Sequence, residues 1–369
     1  MNSASAAATA TSATITSPSP SPSPSADAAL RVQGLRIQLD DGTTLVSDVS
    51  FAVEAGQVLG LVGESGCGKT LTSLSLIGLL PPAVSVAAGS ILWNGRDIAA
   101  LDESALSRVR GREIAFIAQE PMRALDPMFS IGSQLIGAVQ RLRSVSRRQA
   151  HDAATELLEK VGIVDVAKVL KSYPHEISGG MAQRVAIAIA LAGRPKLLIA
   201  DEPTTSLDVT VQAEILSLLR HIIADEGMTM VIVTHDLGVV ADICDDVAVM
   251  YAGQIVETGT ARSVLLEPAH PYTKALLGAD PHASGHDGPK RRLVSIPGQV
   301  PQPRDWPSAC RFAQRCEFAT AACLGSVPLL PRPTGPGLTR CIRAEELFTR
   351  PSTSLPAASA ATTPEQVDV

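Results

Sequence analysis

Gly63-Glu64-Ser65-Gly66-Cys67-Gly68-Lys69-Thr70 matches G-x-x-x-x-G-K-[ST]. That spacing lets glycine backbone wrap its N–H groups around a di- or triphosphate. The apolar run at 58–62 reads as a buried strand and 69–80 as an apolar helix. A phosphate loop at such a turn gains from the positive end of the helix. Lys69 is then expected to reach the β- and γ-phosphates, and the Thr70 hydroxyl to be a ligand for Mg²⁺. A chance glycine-rich turn would rarely carry Lys-Thr at this place between a strand and a helix. The spacing predicts nucleoside triphosphate binding.

Leu197-Leu198-Ile199-Ala200-Asp201-Glu202 is an apolar run delivering two carboxylates at the end of a strand, where open α/β sheets bind ligands. Asp201 is expected to hold Mg²⁺, directly or through water. Glu202 is expected to orient or deprotonate the water that attacks the γ-phosphate. Two helix-capping acids before Pro203 are the bland alternative, which leaves unexplained why a buried strand ends in two charges. Ser178-Gly179-Gly180-Met181 opens a second apolar helix with a capping hydroxyl and free N–H groups, a second anion site. One nucleotide does not need two such sites from one chain, whereas two chains packed head to tail would use both. Alone, this turn would be only a capped helix.

A core must position these groups. Leu35, Ile37 and Leu39 alternate, as do Val49, Phe51 and Val53, the period of half-buried strands. Residues 90–93 and 114–118 read as further strands, the latter ending at Gln119, and the pattern is helical over 120–173. Strands at 197–200, 230–234 and 247–251 then alternate with helices. This order predicts an α/β fold, a largely parallel sheet with helices on both faces.

The 369 residues carry a net charge of −6, so no nucleic-acid partner is expected. No stretch approaches the roughly 18 apolar residues of a membrane-crossing helix. The N-terminus lacks the basic start and leucine-rich centre of a signal peptide. A cytoplasmic protein is expected, reaching the membrane only through partners. Residues 1–29, with their Ser-Pro repeat, and 349–369 have compositions that cannot bury a core and are expected to be disordered.

Residues 263–348 read as an extension rich in proline. Cys310, Cys316, Cys323 and Cys341 there form C-x5-C-x6-C-x17-C. Disulfides do not suit a reducing compartment, and zinc usually takes C-x2–4-C pairs, absent here. Four thiolates suit a 4Fe–4S cluster, with zinc next and metal-free thiols last. Arg311, Arg315, Arg340 and Arg343 flank them and are placed to offset a cluster's negative charge. Cys67 and Cys244, the latter expected in a helix, read as packed side chains.

Over roughly residues 30–262 the chain resembles the ATPase subunits of ABC transporters. The motifs stand in family order: phosphate loop at 63–70, Q-loop at Gln119, signature turn at 178–181, Walker B at 197–202, D-loop Ser206-Leu207-Asp208 and switch histidine His235. The resemblance implies an ABC-type nucleotide-binding domain with a parallel-sheet core, a small antiparallel β subdomain and a helical subdomain at about 120–176. It implies ATP as the nucleotide, Gln119 sensing Mg²⁺ and His235 contacting the γ-phosphate. It also adds Ser178, Gly179, Gly180 and Asp208 to the nucleotide-binding set of a head-to-tail dimer.

Finer motifs are similar to the dipeptide/oligopeptide (or nickel) importer group, D-type: Gln119-Glu120-Pro121-Met122, Tyr173-Pro174-His175-Glu176, Ala200-Asp201-Glu202-Pro203-Thr204-Thr205, His270-Pro271-Tyr272-Thr273 and Ile296-Pro297-Gly298. Some ATPases of this group carry a 4Fe–4S cluster on such a cysteine motif. The resemblance implies two membrane permease subunits, whose coupling helices dock around Gln119 and residues 120–140. It implies a second ATPase subunit, another copy or an F-type one, and an extracellular solute-binding protein acting indirectly. The expected location is peripheral, on the cytoplasmic face of the membrane. Import of nickel or another small solute is an alternative, as is a soluble ABC ATPase outside transport, though a coiled-coil insertion or second cassette is missing. Three departures stand out: no Phe, Trp or Tyr lies between Leu30 and Ser50, where many members stack an aromatic on adenine; Asp126 stands where Asn is common; and the signature has Ile177 and Met181 rather than Leu and Gln, a variation within the group.

Overall fold

The computed structural model describes residues 28–205, 207–279 and 295–348. The expected disorder of the two tails therefore lies outside the described residues, except at Ala28 and Ala29, and so does Ser206 of the D-loop.

In chain order the elements are β1 (Leu30–Leu39), β2 (Thr44–Val53), β3 (Val58–Val62), α1 (Lys69–Ser75), β4 (Val84–Trp93), β5 (Arg96–Asp97), α2 (Glu103–Val109) and β6 (Ile114–Ile117). A helical block follows: α3 (Pro121–Ala124), α4 (Ile131–Arg143), α5 (Arg147–Lys160), α6 (Val166–Lys171) and α7 (Gly179–Ala190). Then come β7 (Leu197–Asp201), α8 (Val209–Glu226), β8 (Thr229–Thr234), α9 (Leu237–Ile243), β9 (Asp246–Tyr251), β10 (Gln254–Thr260), α10 (Ala261–Leu266) and α11 (Pro271–Ala279). The last elements are β11 (Leu330–Pro331), β12 (Leu338–Thr339) and α12 (Ala344–Phe348), among short 3₁₀ turns.

Two sheets result. The antiparallel one has the order β2-β1-β4-β5. The larger has the order β11-β12-β10-β9-β3-β8-β7-β6, parallel from β9 to β6 and antiparallel beyond β9. β3, β7 and β8 are buried at every residue, which is why their sequences are continuous apolar runs rather than alternating ones. The extension contributes β12, which pairs with β10 at Glu257 and Thr339. The helical block packs its own apolar faces, with Leu135, Val139, Ala150, Ala154, Leu158 and Val185 fully buried. Ser130 caps α4, and Ser146 with Gln149 forms a capping box on α5, each satisfying N–H groups a helix start leaves free. Among the described residues no helix is long and apolar enough to cross a membrane.

Three boundaries differ from those expected. α1 stops at Ser75 rather than Leu80, because Gly78 turns left-handed (φ 63°) and the Leu79 N–H reaches back to Leu74 O at 3.0 Å, closing the helix as such glycines do. β4 begins at Val84 rather than 90, since it pairs along β1 from Leu39↔Val84 to Leu30↔Trp93; cross-strand pairing overrides a weak local pattern. Cys244 is the residue after α9, not within it.

Candidate nucleotide site

β3 runs into the phosphate loop, and the loop into α1. Gly63 (φ 151°), Gly66 (φ 80°) and Gly68 (φ 102°) take backbone angles open to glycine. At Gly63 a Cβ would lie 2.2 Å from Met250 O, so the loop is pinned against the end of β9. Lys69 is buried, and its ammonium donates to Gly63 O at 2.7 Å and Glu64 O at 3.0 Å. A more distant contact reaches Cys67 Sγ at 3.9 Å; a buried cation held by carbonyls of the loop it serves is poised to exchange them for phosphate oxygens.

β7, β8 and β6 bring the remaining groups to the same sheet end. Thr70 Oγ1 donates to Asp201 Oδ1 at 3.4 Å, pairing the two candidate Mg²⁺ ligands. Glu202 follows β7 with φ 46°, a left-handed angle unusual for a side chain of this size. Its N–H bonds to Val233 O at 2.9 Å, carrying the ladder one residue past the strand. Its carboxylate accepts from Gln119 Nε2 at 2.9 Å and Thr205 Oγ1 at 2.9 Å, and His235 Nδ1 lies 3.1 Å from its other oxygen. Burial pushes the two acids the same way, with different results. At Asp201 it dominates and raises the pKa, with a hydrogen bond from Thr70 opposing. At Glu202 burial also raises it, but the bonds from His235 and Thr205 outweigh that and hold the carboxyl below the usual glutamate range. Glu202 is thus an ionised acceptor at neutral pH.

Thr70 thus meets Asp201, and Gln119 and His235 meet Glu202, with Lys69 near enough for its charge to act on both acids. Ser65, Gly66 and Thr70 of the loop are exposed and open to a ligand, while Cys67 is fully buried. Ser178 caps α7, accepting from Met181 N at 3.3 Å. Gly179 and Gly180 begin that helix with open space around the Gly179 Cα, whereas a Cβ at Gly180 would meet Val211 at 2.9 Å. Asp208 caps α8, accepting from Val211 N at 3.0 Å. No hydrogen bond among the described residues ties Ser178, Gly179, Gly180 or Asp208 to the phosphate loop. Sequence reasoning missed Thr205 as a partner of Glu202; its place three residues on in a turn was the only signal.

Cys310, Cys316, Cys323 and Cys341 border one small pocket together with His270, Phe312 and Arg340. All four are free thiols, and burial raises the pKa of Cys310, Cys316 and Cys341. Among the described residues no three His, Cys, Asp or Glu side chains stand close enough to hold a metal ion. The flanking arginines do not all face the sulfurs. Arg340 and Arg343 border the pocket, but Arg311 donates to Ala252 O and stacks on Trp306, its guanidinium 4.0 Å from the ring centre. Arg315 turns to Glu64 of the phosphate loop.

Comparison with known proteins agrees with this geometry. The ABC transporter family profile matches residues 46–205, and that of the oligopeptide/dipeptide transporter C-terminal region matches 256–323. A peptide import ATP-binding protein of Brucella melitensis is 48% identical over 311 residues, covering 82% of this chain and 92% of that protein. A second such protein from the same organism is 46% identical, covering 80% and 88%. Among solved structures, cbiO1 of Clostridium perfringens, part of the ABC transporter complex cbiONQ, superposes with a TM-score of 0.57 at 29% identity, covering 65% of this chain and 92% of that one. A dimeric bacterial ABC transporter cassette gives 0.56 at 23% identity, covering 63% and 99%, a likeness of fold.

Proposed function

As the chain belongs to the ABC transporter family, within its oligopeptide/dipeptide group, we infer that it is the ATP-hydrolysing subunit that powers peptide import through separate membrane proteins. The observation that carries the reading is the Glu202 carboxylate, held in place by bonds to Gln119, Thr205 and His235 beside Lys69 and the Thr70–Asp201 pair.

ATP is the substrate, and the N–H groups of the loop with the Lys69 ammonium would receive its β- and γ-phosphates. Thr70 and Asp201, with Gln119 at the rim, would hold Mg²⁺, which neutralises charge on those phosphates. Glu202 orients a water molecule for in-line attack on the γ-phosphorus and accepts its proton, while the bond from that phosphorus to the ADP oxygen breaks. His235, exposed opposite Glu202, is placed to contact the γ-phosphate.

Ser178, Gly179, Gly180 and Asp208 serve, in this reading, the nucleotide of a second ATPase subunit, either another copy or an F-type chain. Ser178→Arg is then expected to abolish ATPase activity while its own loop still binds ATP, because bulk and positive charge enter the partner's site. Full activity of this variant would contradict the sandwich. Two permease subunits are the proposed membrane partners, docking around Gln119 and the exposed Met122, Met128 and Phe129, with a solute-binding protein acting through them. This places the chain peripherally on the cytoplasmic face. Crosslinking from intact membranes is expected to capture two polytopic membrane proteins, and capture of soluble proteins only would favour an ATPase outside transport.

For Cys310, Cys316, Cys323 and Cys341 the proposal is a 4Fe–4S cluster, with zinc as the alternative. Their convergence on one pocket supports it, although the thiols would have to draw together on metal uptake. Protein purified without oxygen is expected to be brown and to hold about four irons per chain. Stoichiometric zinc without iron would select the alternative, and absence of both metals would remove the proposal.

A further inference from the structure

Three features of the chain play no part in the hydrolytic site: the His270-Pro271-Tyr272-Thr273 and Ile296-Pro297-Gly298 motifs, and Arg315 between the cysteines. Tyr272 and Arg315 meet on one residue of the phosphate loop, and Pro297 braces Arg315. Glu64 donates its N–H to Tyr272 Oη at 2.8 Å. Its carboxylate takes a two-pronged bond from Arg315, Nη1 to Oε2 at 2.7 Å and Nη2 to Oε1 at 3.0 Å. Its carbonyl accepts from Lys69. Glu64 is thus held at its N–H, its carbonyl and its side chain.

Arg315 is itself fixed. Its side chain is 6% exposed. Nε donates to Pro297 O at 2.7 Å, and Nη1 lies 3.3 Å from Tyr251 Oη. The guanidinium lies over the Tyr251 ring (5.7 Å) and the Phe312 ring (6.0 Å). Tyr251, Tyr272 and Phe312 pack on one another with centroids 4.7 to 5.4 Å apart. An arginine held this way has little conformational freedom left to lose, so its fork sets where the carboxylate stands.

We propose that Arg315 is a positioning residue for the nucleotide site, a strut from the extension that holds Glu64 and with it the phosphate loop in its ligand-receiving shape. Its charge has a second effect. An unpaired Glu64 carboxylate would stand at the loop that must accept a polyanionic triphosphate, and Arg315 cancels that repulsion. The extension is on this account part of the ATP site, although Arg315 touches neither the substrate nor the reacting atoms. The proposal rests on the reading of the loop as an ATP site.

The test is a double-mutant cycle in the full chain, with ATP Kd measured by calorimetry and KM and kcat measured for hydrolysis. Arg315→Ala is expected to raise ATP Kd and KM roughly ten- to a hundredfold, with kcat at saturation changed only a few-fold. Arg315→Lys, which keeps the charge and loses the fork, is expected to fall between. In a Glu64→Gln background the effect of Arg315→Ala should shrink several-fold, since its charged partner is gone. The proposal is overturned if Arg315→Ala leaves Kd within twofold of wild type, or if its effect is the same in both backgrounds, which is what mere packing in the extension would give. Should Arg315→Ala fail to fold, Arg315→Lys in the two backgrounds carries the same comparison. Wild type measured alongside separates the two readings: if it binds no ATP, the nucleotide site itself fails.

Discussion

Glu202→Gln is expected to lower steady-state ATP hydrolysis on the order of 10²–10⁴-fold, the range of a lost general base, while ATP still binds. The amide keeps the size of the side chain and its bonding to Thr205 and Gln119, so the left-handed turn at residue 202 should persist. What it loses is the power to accept a proton from water. ATP then accumulates unhydrolysed, and the variant should be found as a closed dimer with bound nucleotide, read by size-exclusion chromatography in ATP. Hydrolysis near the wild-type rate would remove Glu202 from the mechanism.

Lys69→Ala should act on binding instead. The ammonium is buried and donates to Gly63 O and Glu64 O, carbonyls it would trade for phosphate oxygens. Losing a charge-assisted bond of this kind corresponds to about a ten- to hundredfold weaker ATP Kd, measurable by calorimetry, and hydrolysis should fall with it. An unchanged Kd would mean that the triphosphate does not lie along this loop. The contrast between the two variants, binding kept in one and lost in the other, separates the chemical group from the cradle.

Much of this site could be read from residue spacing, because each part is local. A loop of fixed length at a strand-to-helix turn, and an apolar strand ending in Asp201-Glu202, are written in consecutive residues, and the parallel sheet then brings their ends together. Contacts between distant segments leave no such pattern. Arg315 and Glu64 are separated by 251 positions, and nothing in the run Ala313-Gln314-Arg315-Cys316 says that the guanidinium turns toward the loop rather than toward the sulfurs. The expected β4 is too short for a related reason: Val84 and Val86 alternate with Ser85, but Ala87-Ala88-Gly89 breaks the pattern, and the stretch is held extended by its pairing with β1. The left-handed angle at Glu202 is also invisible locally, since it comes from the bond of its N–H to β8 and the grip on its carboxylate.

The measurement that bears most directly on the account is ATP-dependent peptide uptake in cells lacking this chain, using a labelled oligopeptide and complementing with wild type or Glu202→Gln. The account expects uptake to be lost on deletion, restored by the wild-type chain and not restored by Glu202→Gln. Undiminished peptide uptake without the chain, or full restoration by the Glu202 variant, would contradict it.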